Sequence, residues 1–437
     1  MTASGNGQLA QASAYETVKA MTLKRVEAGD IDPQGDAEAV RAQIGEVVRA
    51  YQREAHLDDA LVALADPEAM VARVMAAVCD YGPLTGLLRR GDVEEVMIQG
   101  AHLSYITADG RIHFPAQAAS ESEYRQYVER LLQATGRQLD ASTPIVVAGV
   151  DGHTRLSVKI PPVADELTVC IRRQVLRRPT LRDLVAQGSL SPPAAGLLWA
   201  CMQIRSRVLV AGAPFAGKTT LLNALLAAIP PHRVVRVNEE ARELSAPLML
   251  GGYCQANDRP GQTLRDLVRA DLTFRPDMLV VGEVKGAEAY EVIRPLNAGC
   301  GFMTSVHCNA AADAIDVLTA CAAMAGERMD PDLIRSLFAG AIDFVVFVDA
   351  DEAALRDRDR AARRQVTEIA WVEPRLRGGQ VVLEPLFRRE ALGRPLAWTG
   401  ARPGEGVVAR LDKGLAAAGG LTVDRILAGD QVVGALR

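Results

Sequence analysis

The segment GAPFAGKTT, residues 212–220, constrains the fold of this chain more than any other part of its sequence. Gly212, Gly217, Lys218 and Thr219 occupy the fixed positions of the pattern G-x-x-x-x-G-K-[ST]. An apolar run, RVLVAG, precedes the segment, and LLNALLAAI follows it with leucines at helical spacing. The sequence therefore predicts a strand, a glycine-rich turn and a helix, which is the context of a phosphate-binding loop.

This turn predicts a nucleotide site. Backbone N–H groups of the turn and the positive end of the helix dipole would point at one anionic centre. Lys218 would contact the β- and γ-phosphates, and the Thr219 hydroxyl would bind Mg²⁺, so we expect ATP and Mg²⁺ as ligands. The candidate binding residues are Gly212, Ala213, Pro214, Phe215, Ala216, Gly217, Lys218, Thr219 and Thr220.

The pattern along the 437 residues predicts three parts. Residues 1–82 contain a tail, 1–12, that we expect to be disordered, and a helical module with apolar residues at helical spacing. Residues 83–176 contain short β-branched runs and one helical stretch, which predicts an α+β domain. Residues 177–437 alternate strands with helices, which is the pattern of a parallel sheet covered by helices.

Five strands are expected in this sheet, at 207–211, 233–238, 277–282, 301–306 and 342–348. Two further strands, QVTEIAWV and QVVLEPLF, are expected to form an antiparallel pair after it. The charged stretch DADEAALRDRDRAARR lies before this pair and predicts an exposed hairpin tip or loop.

Composition and charge narrow the functional class. The net charge of −5 and the isoelectric point of about 5.8 offer no bulk electrostatic attraction for nucleic acid, so we expect no direct nucleic-acid partner. Seven dispersed cysteines without a C-x-x-C pair suit reduced thiols. No basic-then-apolar N-terminal signal and no long apolar run are present, which predicts a cytoplasmic protein without a membrane span.

Three further elements place polar residues at the ends of predicted strands. Glu239 and Glu240 follow the strand after the loop helix, Glu283 follows RPDMLVVG, and His307 ends GFMTSVH. Ligands of open α/β sheets bind beyond the carboxyl ends of the strands, so we expect these residues near Lys218. Plain alternatives stay open: a carboxylate that satisfies backbone amides in the first element, a surface glutamate in the second and a structural histidine in the third.

The order of these elements resembles the type II/type IV secretion and pilus ATPases. GAPFAGKTT, NEEARELSAP, LRDLVRADLTFRPDMLVVGEVKGAEAYEVI and TSVHCNAAADAI are similar to the phosphate-loop, acidic, Walker B and histidine boxes of that family. LDASTPIVVAGVDGHTRLSVKIPP and VCIRRQ resemble the N-terminal domain and the arginine-bearing junction of its tight-adherence (Flp) pilus branch. The likeness covers about residues 83–400.

The resemblance implies an α/β fold, with a RecA-like P-loop ATPase domain after a smaller α+β domain and an N-terminal helical module. It implies a homo-oligomeric ring, usually a hexamer, with ATP between the two domains of each subunit. Hydrolysis would move these domains and drive an inner-membrane platform protein of a pilus or secretion apparatus. The protein would then lie at the inner membrane through its partners.

The resemblance also assigns roles to residues. The implied catalytic residues are Lys218, Glu240 with Glu239 as a second member of the acidic box, Glu283, His307, Arg172 and Arg173, and the implied metal ligands are Thr219 and Glu283. Glu283 would polarise the attacking water or act through the metal. Arg172 and Arg173 would reach the nucleotide from the N-terminal domain, where a guanidinium suits the spread charge of phosphoryl transfer. Arg265 and Arg269 are weaker candidates for this role or for a subunit contact.

We therefore expect a motor ATPase that couples ATP hydrolysis to pilus assembly or protein secretion. One alternative is a RecA-like ATPase that translocates DNA or RNA, which the acidic isoelectric point opposes. Another is a nucleotide-binding scaffold with weak hydrolysis. Two departures favour the scaffold: the bulky Phe215 in the turn, and a histidine box, AGCGFMTSVH, that is one residue short, with Cys300 where a polar residue is expected.

Overall fold

The computed structural model describes most of the chain. The described residues are 3–29, 31, 35–58, 61–108, 111–115, 119–133, 135–151, 154–173, 178–257, 261–297, 299–351, 363–417 and 420–429. The chain forms two compact units, residues 1–175 (unit 1) and 176–437 (unit 2). The sequence places this boundary between residues 176 and 177.

The described part of unit 1 contains five helices and one six-stranded sheet. The helices are α1 (Ala3–Ala28), α2 (Ala37–Ala55), α3 (Pro67–Cys79), α4 (Pro83–Arg89) and α5 (Glu121–Gln133). The strands are β1 (Val93–Gln99), β2 (His102–Thr107), β3 (Ile112–His113), β4 (Ile145–Asp151), β5 (Thr154–Lys159) and β6 (Thr168–Arg173). Their order in the sheet is β3-β2-β1-β6-β5-β4, and every neighbouring pair is antiparallel.

One apolar core holds unit 1 together. It joins the inner stripes of α1, α2 and α3 to α5 and to one face of the sheet. A buried ion pair adds to it, because Lys19 of α1 lies 2.5 Å from Glu123 of α5. The hydroxyl of Tyr15 donates to the same carboxylate at 2.9 Å. The helical module and the α+β domain, which the sequence separates at residue 82, therefore share one core.

Helix α1 differs from the sequence prediction at its start. It begins at Ala3, inside the segment 1–12 that was expected to be disordered. Once the packed part of a helix has formed, each further residue adds one hydrogen bond for little extra ordering. The packing of Tyr15 and Val18 in the core therefore accounts for a helix that extends back into a polar segment.

The described part of unit 2 contains a nine-stranded sheet and nine α-helices. The strands are β7 (Arg207–Gly212), β8 (Val234–Glu239), β9 (Leu250–Gln255), β10 (Met278–Val281), β11 (Gly301–His307), β12 (Phe344–Ala350), β13 (Arg364–Val372), β14 (Leu383–Arg388) and β15 (Ala397–Trp398). The helices are α6 (Leu181–Ala186), α7 (Pro192–Gln203), α8 (Lys218–Ala227), α9 (Leu264–Asp271), α10 (Glu288–Asn297), α11 (Ala314–Ala323), α12 (Pro331–Ala341), α13 (Glu405–Ala417) and α14 (Val423–Leu427). Two 3₁₀ turns, Leu272–Phe274 and Ala311–Asp313, precede β10 and α11.

The sheet of unit 2 is parallel over six strands and antiparallel over three. Its order is β15-β14-β13-β12-β7-β11-β10-β8-β9, with the parallel part running from β12 to β9. One apolar core lies on the face covered by α7, α8, α13 and α14, and a second lies on the face covered by α10, α11 and α12. A strand buried on both faces reads as a continuous apolar run, as in MLVV of β10. The predicted α/β fold with a parallel sheet covered by helices is confirmed.

The five predicted strands of the sheet are all present, as β7, β8, β10, β11 and β12. The antiparallel pair is also confirmed, as β13 and β14. The edge strand β9 was missed. Strands β12 and β13 are antiparallel neighbours. Residues 352–362, which make up most of the predicted charged tip or loop between them, lie outside the described residues.

Candidate nucleotide-binding site

The glycine-rich turn lies between β7 and α8, at the carboxyl edge of the parallel strands. Gly217 has a φ of +100° and opens α8, while Gly212 has a φ of +152°. A Cβ on Gly212 would lie 2.1 Å from the carbonyl oxygen of Val348 on β12. Gly217 is therefore required by its backbone conformation. Gly212 is required both by its backbone conformation and by the close approach of β12.

Phe215 lies at the tip of the turn. Its backbone φ is +62°, and the residue is 56% exposed. The two neighbouring residues toward α8, Ala216 and Gly217, are more buried. The aromatic ring is therefore at the outer surface of the turn, where it contacts solvent.

Lys218 is buried at the first position of α8. Its Nζ donates to the carbonyl oxygens of Gly212 at 3.0 Å and Ala213 at 2.8 Å. It also lies 2.9 Å from Nδ1 of His307. Because an ammonium can only donate, Nδ1 is the acceptor and the imidazole carries its proton on Nε2. Burial lowers the pKa of Lys218, and the Glu283 carboxylate opposes that shift.

His307 connects this lysine to a row of charged residues. It pairs with Gly212 in the register of β11 and β7. Its Nε2 lies 2.5 Å from Glu283, whose carboxylate also lies 2.9 Å from Lys285 Nζ. Lys285 in turn lies 3.1 Å from Glu240. The structure thus brings Lys218, His307 and Glu283 into direct succession, with Glu240 at the far end and half-exposed.

Glu239 has a different environment from its neighbour. Its side chain is buried at the end of β8, and Oε1 accepts from the backbone N–H groups of Glu243 at 2.9 Å and Leu244 at 3.0 Å. Oε2 has no hydrogen-bond partner among the described residues. Burial raises the pKa of Glu239 to about 8, although the two amides favour the charged form. The sequence left open whether Glu239 acts in catalysis or accepts hydrogen bonds from backbone amides. The structure shows the second arrangement, although no helix starts there.

Glu243 is a residue of this site that the sequence analysis missed. Its carboxylate Oε2 accepts from the Thr219 hydroxyl at 3.0 Å. Asn223 of α8 fixes the same segment, because its amide contacts the Glu243 carbonyl at 3.3 Å and accepts from the Ser245 N–H at 2.9 Å. The only local signal was a third acid, four residues after Glu239, in NEEARELSAP.

The remaining candidate residues lie elsewhere. Arg265 and Arg269 of α9 share the carboxylate of Glu291 at 2.7 and 2.6 Å, and Arg265 also contacts Glu327 at 3.1 Å. These two arginines therefore stabilise the packing of α9 against α10.

Arg172 and Arg173 end β6 in unit 1. Arg172 is exposed and lies opposite Glu95 of β1 and Arg155 of β5 in the sheet register. Arg173 is half-buried, and its guanidinium donates to the carbonyl oxygens of Leu87, at 3.3 Å, and Arg90. Their implied role at the nucleotide stays a prediction.

The turn and its surroundings fit a nucleotide phosphate and a magnesium ion. No described side chain caps the start of α8, whose first-turn N–H groups are the donors that a phosphate accepts from. The buried Lys218 supplies a cation beside them, and the Thr219 hydroxyl with the nearby carboxylates supplies hard oxygen donors. Among the described residues, no group of three or more His, Cys, Asp or Glu side chains is arranged to hold a metal ion.

Sequence comparison agrees with these elements. The family model for "Type II/IV secretion system protein" matches residues 79–346, which is more than half of the chain. This chain belongs to the type II/IV secretion system protein family. The matched range of this secretion family begins in α3 and ends in β12, so it contains every candidate site residue.

Relatives within this secretion family include transfer proteins. A Mycobacterium tuberculosis protein, named as a candidate conjugal transfer protein, is 37% identical over 266 residues, covering 58% of this chain and 72% of that protein. The type IV secretion system protein PtlH of Bordetella pertussis is 27% identical over 278 residues, covering 56% of this chain and 80% of that protein.

Solved structures of secretion and pilus ATPases are also similar. The VirB11 ATPase of the Brucella suis type IV secretion system is 22% identical, with a TM-score of 0.36, covering 70% of this chain and 96% of that one. The pilus retraction motor PilT with bound ADP is 16% identical, with a TM-score of 0.46, covering 71% of this chain and 83% of that one. Within the described parts of the chain, none of the helices has the length and apolarity needed to cross a membrane.

Proposed function

We propose that unit 2 binds ATP with Mg²⁺ and hydrolyses it. The observation that carries this proposal is the contact series from Lys218 through His307 to Glu283, with distances of 2.9 and 2.5 Å, at the edge of the sheet where such folds bind ligands. A bare phosphate loop binds a nucleotide, whereas hydrolysis also needs a carboxylate that orients water and a polar group near the γ-phosphate. Glu283 and His307 meet both requirements.

Each residue then has a role that follows from its position. Lys218 exchanges its carbonyl contacts for the β- and γ-phosphate oxygens, and the N–H groups at the start of α8 bind the same phosphates. Glu283 accepts a hydrogen bond from the attacking water, and His307 contacts the γ-phosphate side. Mg²⁺, when bound through Thr219 and Glu283, would neutralise charge that develops on the phosphates. Glu243 keeps the Thr219 hydroxyl oriented through the 3.0 Å hydrogen bond.

ATP hydrolysis would supply the energy for mechanical work by a motor protein. We propose a homo-oligomeric ring, most simply a hexamer, that acts on an inner-membrane platform protein during pilus assembly or protein secretion, from the cytoplasmic side. The family and the names of the relatives, which refer to conjugal transfer and type IV secretion, support this class. The residues quoted for the tight-adherence (Flp) branch support that assignment within the family. The net charge of −5 supports a protein partner rather than direct contact with nucleic acid.

Arg172 and Arg173 would complete the site from unit 1. Both arginines end the strand that leads out of unit 1, so a movement of that unit would carry their charge with it. An arginine supplied to a phosphoryl-transfer site is worth about 10³–10⁵ in rate. A unit that delivers and withdraws such a group would couple its position to hydrolysis.

Steady-state ATP hydrolysis with Mg²⁺ tests the site. We expect Lys218→Ala to abolish nucleotide binding and turnover, and Glu283→Gln to keep binding while turnover falls by about 10²-fold or more. The exposed residues Lys413 and Glu405 of α13 supply matched controls as Lys413→Ala and Glu405→Gln. Equal turnover in wild type and Glu283→Gln would reject the assignment of the water-orienting carboxylate. ATP binding without hydrolysis by the wild type would favour the scaffold.

The assembly and the junction arginines need separate measurements. Mass in solution with a non-hydrolysable ATP analogue should show a six-fold assembly, whereas a persistent monomer contradicts the ring. Hydrolysis stimulated by DNA or RNA would favour a translocase. Replacing Arg172 and Arg173 by alanine should slow hydrolysis with little change in nucleotide affinity, in contrast to Arg125→Ala on the surface of α5. An unchanged rate would limit both arginines to a structural role.

A further inference from the structure

We propose that Glu239 is a positioning residue that fixes two carboxylate-bearing segments of the site relative to each other: residues 240–244 after β8 and residues 282–285 after β10. This inference rests on the proposed hydrolysis of ATP. The position of Glu239 does not suit a reacting group, because its side chain is buried.

The first segment is held by Oε1 of Glu239. This single oxygen accepts from the N–H groups of Glu243 at 2.9 Å and Leu244 at 3.0 Å. The segment between β8 and β9 has no regular secondary structure of its own. The contact with Oε1 therefore sets the backbone of Glu243, whose carboxylate reaches the Thr219 hydroxyl at 3.0 Å.

The second segment packs against the stem of the same side chain. A Cβ added to Gly282 would lie 2.9 Å from Cγ of Glu239 and 3.1 Å from its Oε1. The backbone of Gly282 is fixed on its other sides, because its N–H donates to the Asn238 carbonyl at 2.9 Å and its carbonyl accepts from the Ser305 hydroxyl at 2.8 Å. Gly282 directly precedes Glu283, so this close approach fixes where the water-orienting carboxylate begins.

One side chain thus contacts both segments. Its Oε1 orients the backbone of Glu243, and its methylene groups set the distance between the backbone of Gly282 and strand β8. Misplacement of a catalytic group by about 1 Å can cost about 10²-fold in rate. We therefore expect truncation of Glu239 to lower kcat while the phosphate-binding N–H groups and Lys218 continue to bind nucleotide.

Three single variants and one double variant test this in ATP hydrolysis by the 437-residue chain. Glu239→Ala should lower kcat by about 10²-fold, with KM and the Kd for an ATP analogue within about threefold of the wild type. Glu239→Gln keeps the acceptor at Oε1 and should recover most of that kcat. Gly282→Ala should imitate Glu239→Ala, because its Cβ displaces Cγ. The double variant Glu239→Ala/Gly282→Ala should be little slower than either single variant.

The result of the double variant is decisive, because independent sites would multiply their effects. Multiplying losses, or a normal kcat in Glu239→Ala, would overturn the proposal. A Glu239→Gln variant as slow as Glu239→Ala would show that the charge itself acts.

Hydrogen exchange without nucleotide separates this inference from the proposed function. Exchange at the Glu243 and Leu244 amides should be faster in Glu239→Ala than in the wild type or Glu239→Gln. Unchanged exchange rejects the positioning role even if ATP is hydrolysed. Faster exchange in Glu239→Ala, together with a wild-type protein that does not hydrolyse ATP, would reject only the proposed function.

Discussion

The buried carboxyl of Glu239 gives unit 2 a pH dependence of stability that a single substitution should remove. Burial raises the pKa of this group from 4.5 to about 8 in the folded protein. Between these two values the unfolded chain has lost the proton and the folded chain has kept it. The free energy of unfolding therefore falls as the pH rises through this window, and it is constant above the folded pKa.

The size of the effect follows from the two pKa values. One pKa unit corresponds to about 1.36 kcal/mol, so the loss between about pH 5 and pH 8 is about 3–4 kcal/mol. For a unit of this size, this equals roughly 6–16 °C in Tm. Glu239→Gln imitates the protonated carboxyl, with an acceptor at Oε1 and an N–H at Oε2, but does not titrate. The variant should match the wild type near pH 5 and exceed its stability near pH 8.

Tryptophan fluorescence can follow this equilibrium in unit 2 alone. The three tryptophans of the chain, Trp199, Trp371 and Trp398, all lie in unit 2. Denaturant unfolding at both pH values would give the difference between variant and wild type, in which every other titrating group cancels. Glu239→Ala serves as the control: it should also lose the pH dependence, but with lower stability throughout, because the Glu243 and Leu244 amides lose their acceptor. An equal difference at both pH values would refute the buried, protonated carboxyl.

One further substitution in each unit tests its packing. Gly212→Ala places a Cβ 2.1 Å from the Val348 carbonyl oxygen and should destabilise unit 2 by about 3 kcal/mol or more and abolish nucleotide binding, measured by fluorescence unfolding and calorimetric titration. Gly406→Ala in α13 has open space around its Cβ and should be neutral or slightly stabilising. In unit 1, Lys19→Met leaves the buried Glu123 without its cation and should cost about 3–5 kcal/mol in circular-dichroism melts. A second change, Glu123→Gln, should restore much of that loss, and an additive effect would contradict the ion-pair argument.

The central sheet of unit 2 was predictable from the sequence because its strands are buried on both faces. Such strands leave continuous apolar runs, and their polar ends share one edge of the sheet. That reasoning placed His307 and Glu283 near Lys218, as observed. Strand β9 left no such signal: it is an exposed edge strand, and Gly251 and its neighbour Gly252 interrupt its pattern. A Cβ on Gly251 would lie 2.5 Å from the Val235 carbonyl oxygen. The close approach of β8 therefore explains why a glycine stands at this position, and local strand propensity does not.

The carboxylates of the acidic segment show a similar limit. Sequence spacing placed Glu239 and Glu240 at a strand end but did not distinguish a buried acid from an exposed one. Glu239 is the last residue of β8 and is buried, whereas Glu240 follows the end of the strand and lies beside Lys285. Glu243 reaches Thr219 through an irregular backbone that depends on a side chain four residues earlier. Local periodicity carries no information about such a contact.

The ammonium of Lys218 has three protein acceptors, two carbonyl oxygens and an imidazole nitrogen, which match its three N–H donors. Under the proposed function, phosphate binding at this loop exchanges these protein acceptors for phosphate oxygens, so the measured nucleotide affinity reports the difference between the two sets of contacts. If Lys218 turned to a phosphate, Nδ1 of His307 would lose its hydrogen-bond donor. Under the proposed function, nucleotide binding would therefore change the hydrogen bonding at Nδ1 of His307, whose Nε2 contacts Glu283.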